Sequence, residues 1–243
     1  MRTLEEHALV PINSAVATRR KGGFFISICF VSHRAAMLRG TKKTMFSHRL
    51  SDQYSLREIA LGDAEELFAV CDTNRTYLRR WLPWLDRTRT PSDTCDFIQR
   101  ALRQHENKQG FQAVIVVQSR IAGLVGYHRI DWENQSTSLG YWLAGEFQGR
   151  GLMTMSCRAL IDHAFAALNL NRMTIACATG NTRSRAIPQR LGFTHEGTLR
   201  DAEWLYDRYV DHEVYSQLQR EWQARIIAQL AAQHPAAPTM KSP

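Results

Sequence analysis

Three strand-like runs in the middle of the chain follow one another without an intervening helix. They span Phe111–Gln118, Ile121–Ile130 and Ser136–Leu143, and short polar links separate them. Links this short join antiparallel strands, because parallel neighbours need a crossover of a dozen or more residues. The sequence therefore predicts an antiparallel meander at the centre of the domain, and the remaining elements must be arranged around it.

Before the meander, the chain alternates between strand and helix periodicity. A strand is predicted over Tyr54–Ile59 and is followed by two amphipathic helices. Asp63 and Glu66 have the capping-box spacing for the first helix, and Ser92 or Asp93 can open the second.

After the meander, a long helix starts at Leu152 and is followed by a buried strand, a short helix and two closing strands. These last four elements are predicted at Met173–Ala178, Arg185–Leu191, Thr194–Glu203 and Tyr209–Leu218. The order predicts one α/β domain over residues 46–218, with a mixed central sheet of about seven strands and about four flanking helices. Residues 219–243 are expected to be a C-terminal helix and a mobile tail.

The positive charge is concentrated at the start of the chain. The formal net charge is +8, but residues 1–45 hold eight Lys/Arg and two Glu, so the rest is close to neutral. The main body therefore gives no electrostatic reason to expect nucleic-acid binding. The apolar run Phe24–Val31 is too short to span a bilayer, and His33 and Arg34 follow it where a cleavage site would need small residues. We expect residues 1–45 to be a disordered extension or an overlong start, with synthesis beginning at Met45.

Cysteine and histidine residues show no metal-binding pattern. The five cysteines form no Cys-x-x-Cys pair, and the nine histidines have no ligand spacing. Reduced cysteines fit a cytoplasmic protein, and no metal is expected.

The segment Phe147–Met153, with the sequence FQGRGLM, lies between a predicted strand and the helix from Leu152. Its two glycines allow a sharp turn and close approach of a ligand, and the first turn of the helix leaves N–H groups unpaired. Such a site binds phosphate groups, and Arg150 either adds a charged contact or is an ordinary surface arginine. No Lys-Ser/Thr pair follows, and the dinucleotide pattern Gly-x-Gly-x-x-Gly is incomplete, so both of those phosphate-binding loops are excluded.

This segment resembles the signature of the GNAT acetyltransferase superfamily, with Gln148 and Gly151 at its fixed positions. Asn181, Ser184 and the Gly192–Phe193 pair resemble the family's last helix. The stretch Leu199–Leu218 is similar to the closing strands of the branch that acetylates a ribosomal-protein N-terminal serine. The resemblance covers about residues 50–218, and Met153 departs from the usual small residue in a way that this branch shares.

The resemblance implies a sheet whose fourth and fifth strands splay apart to receive acetyl-CoA, the acetyl donor. It implies that acetyl-CoA is bound by Tyr141, Trp142 and Leu143 through their backbones, by the loop and first helical turn, and by Asn181. The loop and turn residues are Gln148, Gly149, Arg150, Gly151, Leu152 and Met153. Apart from the resemblance, the strand residues are also compatible with plain core, and Asn181 with a helix cap.

Two catalytic residues are carried over from the same branch. Glu203 matches the proposed proton acceptor for the attacking amine, although a lone Glu is more often exposed charge. Ser184 matches the group assigned to the departing thiolate, since Pro188 stands where many family members have a tyrosine. Ser184 is equally compatible with a helix N-cap. The aromatic Trp81–Trp84 segment falls in the family's acceptor-side loop, where it forms either a groove wall or core.

The sequence therefore predicts a cytoplasmic N-acetyltransferase that modifies a primary amine, the N-terminal serine amine of a ribosomal or other protein being favoured. One alternative is an enzyme for small amines such as a polyamine, an amino acid or an antibiotic. Another is a non-catalytic acetyl-CoA-binding module. No nucleic-acid or membrane partner is expected, and the resemblance suggests a homodimer.

Overall fold

The computed structural model describes residues 46–233. The predicted extension, its apolar run Phe24–Val31 and the tail His234–Pro243 lie outside the described residues. The strands are β1 (Ser47–Arg49), β2 (Tyr54–Glu58), β3 (Phe111–Val117), β4 (Arg120–Tyr127), β5 (Ser136–Leu143), β6 (Arg172–Ala178), β7 (Thr194–Leu205) and β8 (Arg208–Leu218). The helices are α1 (Ala64–Thr73), α2 (Arg75–Leu78), α3 (Pro91–Glu106), α4 (Leu152–Ala166), α5 (Thr182–Arg190) and α6 (Gln219–Gln233).

The eight strands form a sheet in the order β1-β2-β3-β4-β5-β6-β8-β7, and the predicted α/β class is confirmed. Strands β3, β4 and β5 are the predicted antiparallel meander. The β3–β4 connection is Gln118–Ser119, and both residues have positive φ, 47° and 70°. Two-residue hairpins favour this backbone conformation because its twist matches that of the strands.

Strands β5 and β6 are the only parallel neighbours among the described strands, and they separate soon after they meet. Their pairing covers Ser136–Ser138 against Arg172–Thr174. Beyond it, β5 continues to Leu143 and β6 to Ala178 without a shared ladder. These are the predicted splayed strands, numbered one higher because β1 was not predicted. The divergence opens a gap in the middle of the sheet.

Helices cover both faces of the sheet. On one face, α1 and α3 pack with buried residues such as Leu67, Ile98 and Trp142. On the other face, α4 packs through Leu160 and Ile161, and the partly buried Trp222 of α6 packs against the same core. No helix in the described part of the chain is both long and apolar enough to cross a membrane.

The capping of the first helix differs from the prediction because the side chains expected to cap it form hydrogen bonds elsewhere. The carboxylate of Asp63 does not cap α1, because it binds Arg57 and the N–H of Ala60. Glu66 accepts a bond from the backbone N–H of Ile121 instead of completing a capping box. The predicted capping box at α1 is therefore wrong.

The starts of α3 and α5 are also earlier than predicted. Thr90, rather than Ser92 or Asp93, caps α3, and Asp93 completes a capping box with it. Helix α5 begins at Thr182, three residues before the predicted start, because the side chain of Asn181 caps it.

Candidate active site

Backbone groups of β5 face the gap at alternate residues. The N–H of Ala144, just past the strand, donates to Ala122 on the β4 side. Since the direction alternates along a strand, Trp142 also pairs with β4, whereas Tyr141 and Leu143 direct their N–H and C=O groups into the gap. Of the three predicted contacts in β5, Tyr141 and Leu143 therefore offer backbone groups to a ligand in the gap, and Trp142 does not.

The two glycines of the loop before α4 both have left-handed backbones. The φ angle is 77° at Gly149 and 73° at Gly151, and Gly151 is the N-cap residue of α4. A Cβ placed on either glycine would meet no heavy atom within 4 Å, so the loop leaves open space beside both. The side chains of Leu152 and Met153 are buried in the core, so these residues can offer only backbone N–H groups.

Gln148 and Arg150 of the same loop are both held by hydrogen bonds. The amide of Gln148 donates to the carbonyl of Leu143 at 3.4 Å and accepts from Arg183 at 2.5 Å. The guanidinium of Arg150 donates to the carbonyl of Glu146 at 3.0 Å and remains exposed. Together with the N-terminus of α4, which has no acidic residue in its first turn, they form a positive cradle suited to phosphate groups.

Asn181 and Ser184 lie across the gap at the start of α5. The side-chain oxygen of Asn181 accepts from the N–H of Ser184 at 3.2 Å, so Asn181 is a helix cap as well as a lining residue of the cleft. The hydroxyl of Ser184 donates to the hydroxyl of Tyr141 at 3.2 Å. Ser184 is therefore linked to β5 across the gap.

Pro188 explains why Tyr141 reaches Ser184. Proline has no N–H, so within α5 it cannot donate to the carbonyl of Ser184 four residues earlier. The hydroxyl of Tyr141 donates to that carbonyl instead, at 3.1 Å. Burial raises the pKa of Tyr141 well above its usual range, so the hydroxyl stays protonated.

The gap opens into a cleft with a cavity volume of about 800 Å³, within the range of ligand sites. One wall consists of the aromatic residues Trp81, Trp84 and Phe97, so the Trp81–Trp84 segment lines the cleft. Arg87, Asp96 and Arg100 bring charges of both signs to the same cleft. The cleft can therefore accommodate a substrate that carries both polar and apolar groups.

Glu203 lies on β7 at the far side of this cleft. Its carboxylate is 3.5 Å from Nε2 of His212, which lies on β8 two residues after Val210, the register partner of Glu203. The Glu203 side chain is 31% exposed, so it remains open to the cleft. The structure thus places Glu203 and Ser184, the two residues assigned to catalysis by resemblance, among the residues that line one cavity.

A second histidine lines the cleft on the β4–β5 side. The ring of His128 lies against Gly140, where a Cβ would come within 2.4 Å of Nε2. Its Nδ1 is 2.9 Å from the Ser138 hydroxyl. Burial lowers the pKa of His128, which favours the neutral imidazole.

Sequence reasoning missed three of these lining side chains: the Tyr141 hydroxyl, His128 and His212. The sequence indicated Tyr141 only for its backbone groups, and the contact of its hydroxyl with α5 depends on the folded position of Pro188. The cross-strand position of His212 depends on the register of the β7–β8 hairpin. The described residues contain no group of three or more His, Cys, Asp or Glu that could hold a metal ion.

Comparisons with known proteins agree with this geometry. The sequence profile of a family described as acetyltransferase (GNAT) domain matches residues 54–194. The putative ribosomal N-acetyltransferase YdaF of Bacillus subtilis (strain 168) is 34% identical over 183 residues, which cover 74% of this chain and 98% of the relative. The ribosomal-protein-serine acetyltransferase of Escherichia coli (strain K12) is 28% identical over 170 residues, covering 70% and 95%.

A solved structure shares the fold along most of its length. The crystal structure of the microcin C7 self immunity acetyltransferase MccE, in complex with acetyl-CoA and AMP, matches with a TM-score of 0.67 and 31% identity. The match covers 70% of this chain and 94% of that one.

Proposed function

The chain belongs to the GNAT acetyltransferases, and we propose that it transfers the acetyl group of acetyl-CoA to the N-terminal α-amine of a ribosomal protein, with serine as the preferred first residue. The two relatives named above carry ribosomal names, and this chain covers nearly their whole length. The observation that carries the proposal is the convergence of Glu203, Ser184 and the β5–β6 gap on one cleft.

On the donor side, the residues present fit acetyl-CoA. The open space beside Gly149 and Gly151, together with the free N–H groups at the start of α4, suits a pyrophosphate. The backbone N–H and C=O of Tyr141 and the N–H of Leu143 suit the amides of the pantetheine arm, whereas the carbonyl of Leu143 is already bound by Tyr77 and Gln148. Asn181 lines the same cleft as Tyr141. Acetyl-CoA supplies the thioester that is attacked. The chain holds this thioester beside the acceptor and removes protons from the amine.

On the acceptor side, we assign proton removal to Glu203. An N-terminal α-ammonium, with a reference pKa of about 7.7–8.0, must lose a proton before its nitrogen can attack. The Glu203 carboxylate faces the cleft and has no bidentate arginine partner among the described residues, so it is open to an incoming ammonium. An open carboxylate can bind the ammonium, accept its proton and pass it to water at the cleft mouth.

At the leaving-group end, we assign Ser184 to the thiolate. The nitrogen loses a second proton as the C–N bond forms and the C–S bond breaks, and the thiolate sulfur gains one. The Ser184 hydroxyl lies at the gap, where its single proton points to the oxygen of Tyr141. To serve the sulfur, the hydroxyl must rotate away from Tyr141 and donate that proton to the sulfur instead. Burial raises the pKa of the neighbouring Cys177 thiol to about 11, so this cysteine stays protonated and does not compete as a nucleophile.

A small-molecule amine remains the second candidate acceptor, because the structure of MccE, which matches this fold, contains a small molecule, AMP, as well as acetyl-CoA. The charges of the cleft favour a peptide. Besides the aromatic side chains, its lining includes Arg87, Asp96 and Arg100, which can contact peptide residues after the first. Further contacts of this kind are of no use to a compact amine.

A panel of acceptors tests the proposal. Thiol release is measured with peptides that differ only in a first residue of Ser, Ala or Met, and with a polyamine and a free amino acid. The Ser peptide is expected to have the highest kcat/KM. The same peptide with its α-amine already acetylated is the control, and it should release no thiol. A kcat/KM for any small amine above that of all peptides would overturn the proposed acceptor.

A further inference from the structure

The two halves of the sheet are joined by a short ladder and by side-chain contacts. Strands β1–β5 and β6–β8 pair only at Ser136–Ser138, and side chains of α5 bind Tyr141 and Gln148 across the gap. The segment Asn74–Asp86, here called the strap, passes from the β5 side to the β7–β8 side. Its contacts at both ends are hydrogen bonds from side chains.

At the β5 end, the strap binds the strand that borders the gap. The hydroxyl of Tyr77 donates to the carbonyl of Leu143 at 3.1 Å. The side-chain oxygen of Asn74 accepts from the N–H of Gly145 at 2.8 Å, and its amide donates to Val70 in α1 at 2.9 Å. These bonds fix the end of β5 and the beginning of the loop that leads to the phosphate cradle.

At the other end, the strap binds the β7–β8 turn. The hydroxyl of Tyr206 donates to the carbonyl of Leu82 at 2.5 Å, and the guanidinium of Arg79 lies 3.8 Å over the Tyr206 ring. Arg79 is held in turn by two bonds to Asp86. Tyr206 is only three residues after Glu203, so this contact also restrains the strand that carries the proposed proton acceptor.

Tyr206 is the first residue of the two-residue turn between β7 and β8, and its φ of 62° belongs to that hairpin turn. The turn therefore presents the Tyr206 side chain to the strap. Between the two anchors, the Trp81 ring packs on Gly180 at the β6–α5 turn, where a Cβ would lie 3.6 Å from the ring.

We propose that the strap sets the width of the β5–β6 gap, and that Tyr77 and Tyr206 are positioning residues that anchor it to the two halves. Tyr77 fixes the Leu143 carbonyl so that the remaining backbone groups of β5 face acetyl-CoA. Tyr206 fixes the turn that aligns Glu203 with the acceptor. Burial raises the pKa of both tyrosines, so both hydroxyls remain donors throughout the working pH range.

Tyrosine-to-phenylalanine variants test the strap, because each removes one hydroxyl and keeps the ring. Tyr77→Phe should weaken acetyl-CoA binding, measured by calorimetry without an acceptor, by about two- to tenfold, which is the usual worth of one hydrogen bond. Tyr206→Phe should lower kcat by a similar factor with a smaller change in acetyl-CoA affinity. Since either loss loosens the same strap, the double variant should lose less kcat/KM than the product of the single losses.

Tyr209→Phe is the matched control, because Tyr209 is on the same hairpin, is 59% exposed and has only a ring contact with Trp204. It should leave every constant unchanged. Thermal unfolding of all variants separates loss of fold from loss of positioning. If the strap variants melt lower but keep wild-type affinity and kcat, or if their effects multiply fully, the strap has no positioning role. The calorimetric measurement stands even if the proposed acceptor is wrong, because it uses acetyl-CoA alone.

Discussion

Single residues in this site act through the backbone groups that they free or occupy. Pro188 leaves the carbonyl of Ser184 without a backbone N–H donor in α5. The hydroxyl of Tyr141, on β5, donates to this carbonyl instead. Gly149 and Gly151 take left-handed conformations that expose the start of α4. In each case the residue type at one position determines which hydrogen-bond partners a nearby peptide group can have.

Gly151→Val tests the cradle at this scale. A β-branched residue at φ 73° is strained by about 1–3 kcal/mol, and its side chain would also fill the space left open for the pyrophosphate. We expect acetyl-CoA affinity to fall at least tenfold, as measured by calorimetry. Gly62→Val is the control, because Gly62 also has open space around a Cβ but no left-handed backbone. Unchanged affinity in a folded Gly151→Val protein would contradict the cradle assignment.

Residue-level predictions from the sequence succeeded where one motif determines the local backbone. The turn at Gly149 and Gly151 before the helix at Leu152 is such a case. Asn181, by contrast, was one of two candidate caps for a helix that was predicted to start three residues later than it does. Asp63 and Glu66 were misassigned because their partners, Arg57 and Ile121, lie in neighbouring strands that local spacing does not reveal. Long-range side-chain pairing of this kind depends on the completed fold.

At the scale of elements, β7 is an edge strand and needs more than its ladder with β8. Its register shifts between His195 and Gly197, so Glu196 is the extra residue of a bulge. The Glu196 carboxylate accepts from the Ser216 hydroxyl at 2.8 Å and from two nitrogens of Arg172 on β6. The bulge residue thus connects the edge strand across β8 to the strand that borders the gap.

This connection predicts an acid-sensitive part of the stability. The bonds from Arg172 and Ser216 lower the pKa of Glu196 to about 2 from its usual value of 4.5. A carboxylate whose folded pKa is depressed contributes stability above about pH 4.5 and loses that contribution as the pH falls towards 2. The side chains of Arg172 and Glu196 are both more than a third exposed, so water screens their interaction. We therefore expect it to contribute only about 0.5–1 kcal/mol to the free energy of unfolding at neutral pH.

Glu196→Gln should therefore lower the free energy of unfolding, measured in urea, by that amount at pH 7 and by less at pH 3. Arg208, paired with Asp207 at the exposed hairpin turn, gives a control. The substitution Asp207→Asn should change stability little at either pH. An equal loss for Glu196→Gln at both pH values would mean that the charge of Glu196 contributes nothing.

The type and order of the long elements could be predicted from periodicity, including the meander and the helix at Leu152. Strand β1 was missed because three exposed residues carry no hydrophobic pattern. Helix α2 has only four residues, too few for a helical period. The register between β7 and β8 could not be predicted from the sequence either, since a bulge shifts every later pair by one residue.

At the scale of the whole molecule, the site is assembled from two halves of one sheet. The phosphate cradle and the β5 backbone groups belong to the β1–β5 half, whereas Ser184 and Glu203 belong to the part after β6. The splay between β5 and β6 brings Tyr141 of the first half to one cleft with Ser184 and Glu203 of the second half. The family resemblance predicted this arrangement, but composition and periodicity alone indicated no more than a mixed sheet.

The most direct test of this account measures kcat against pH for the wild type and Glu203→Gln with a Ser-starting peptide. If Glu203 removes the proton from the α-ammonium, kcat should fall by about 10²–10⁴ at neutral pH. The deficit should shrink above pH 8, where the α-amine is already deprotonated. Acetyl-CoA affinity should stay normal, and Glu65→Gln, an exposed change on α1, should match the wild type. Parallel pH profiles that differ only in KM would contradict the account, because Glu203 would then position the acceptor without accepting its proton.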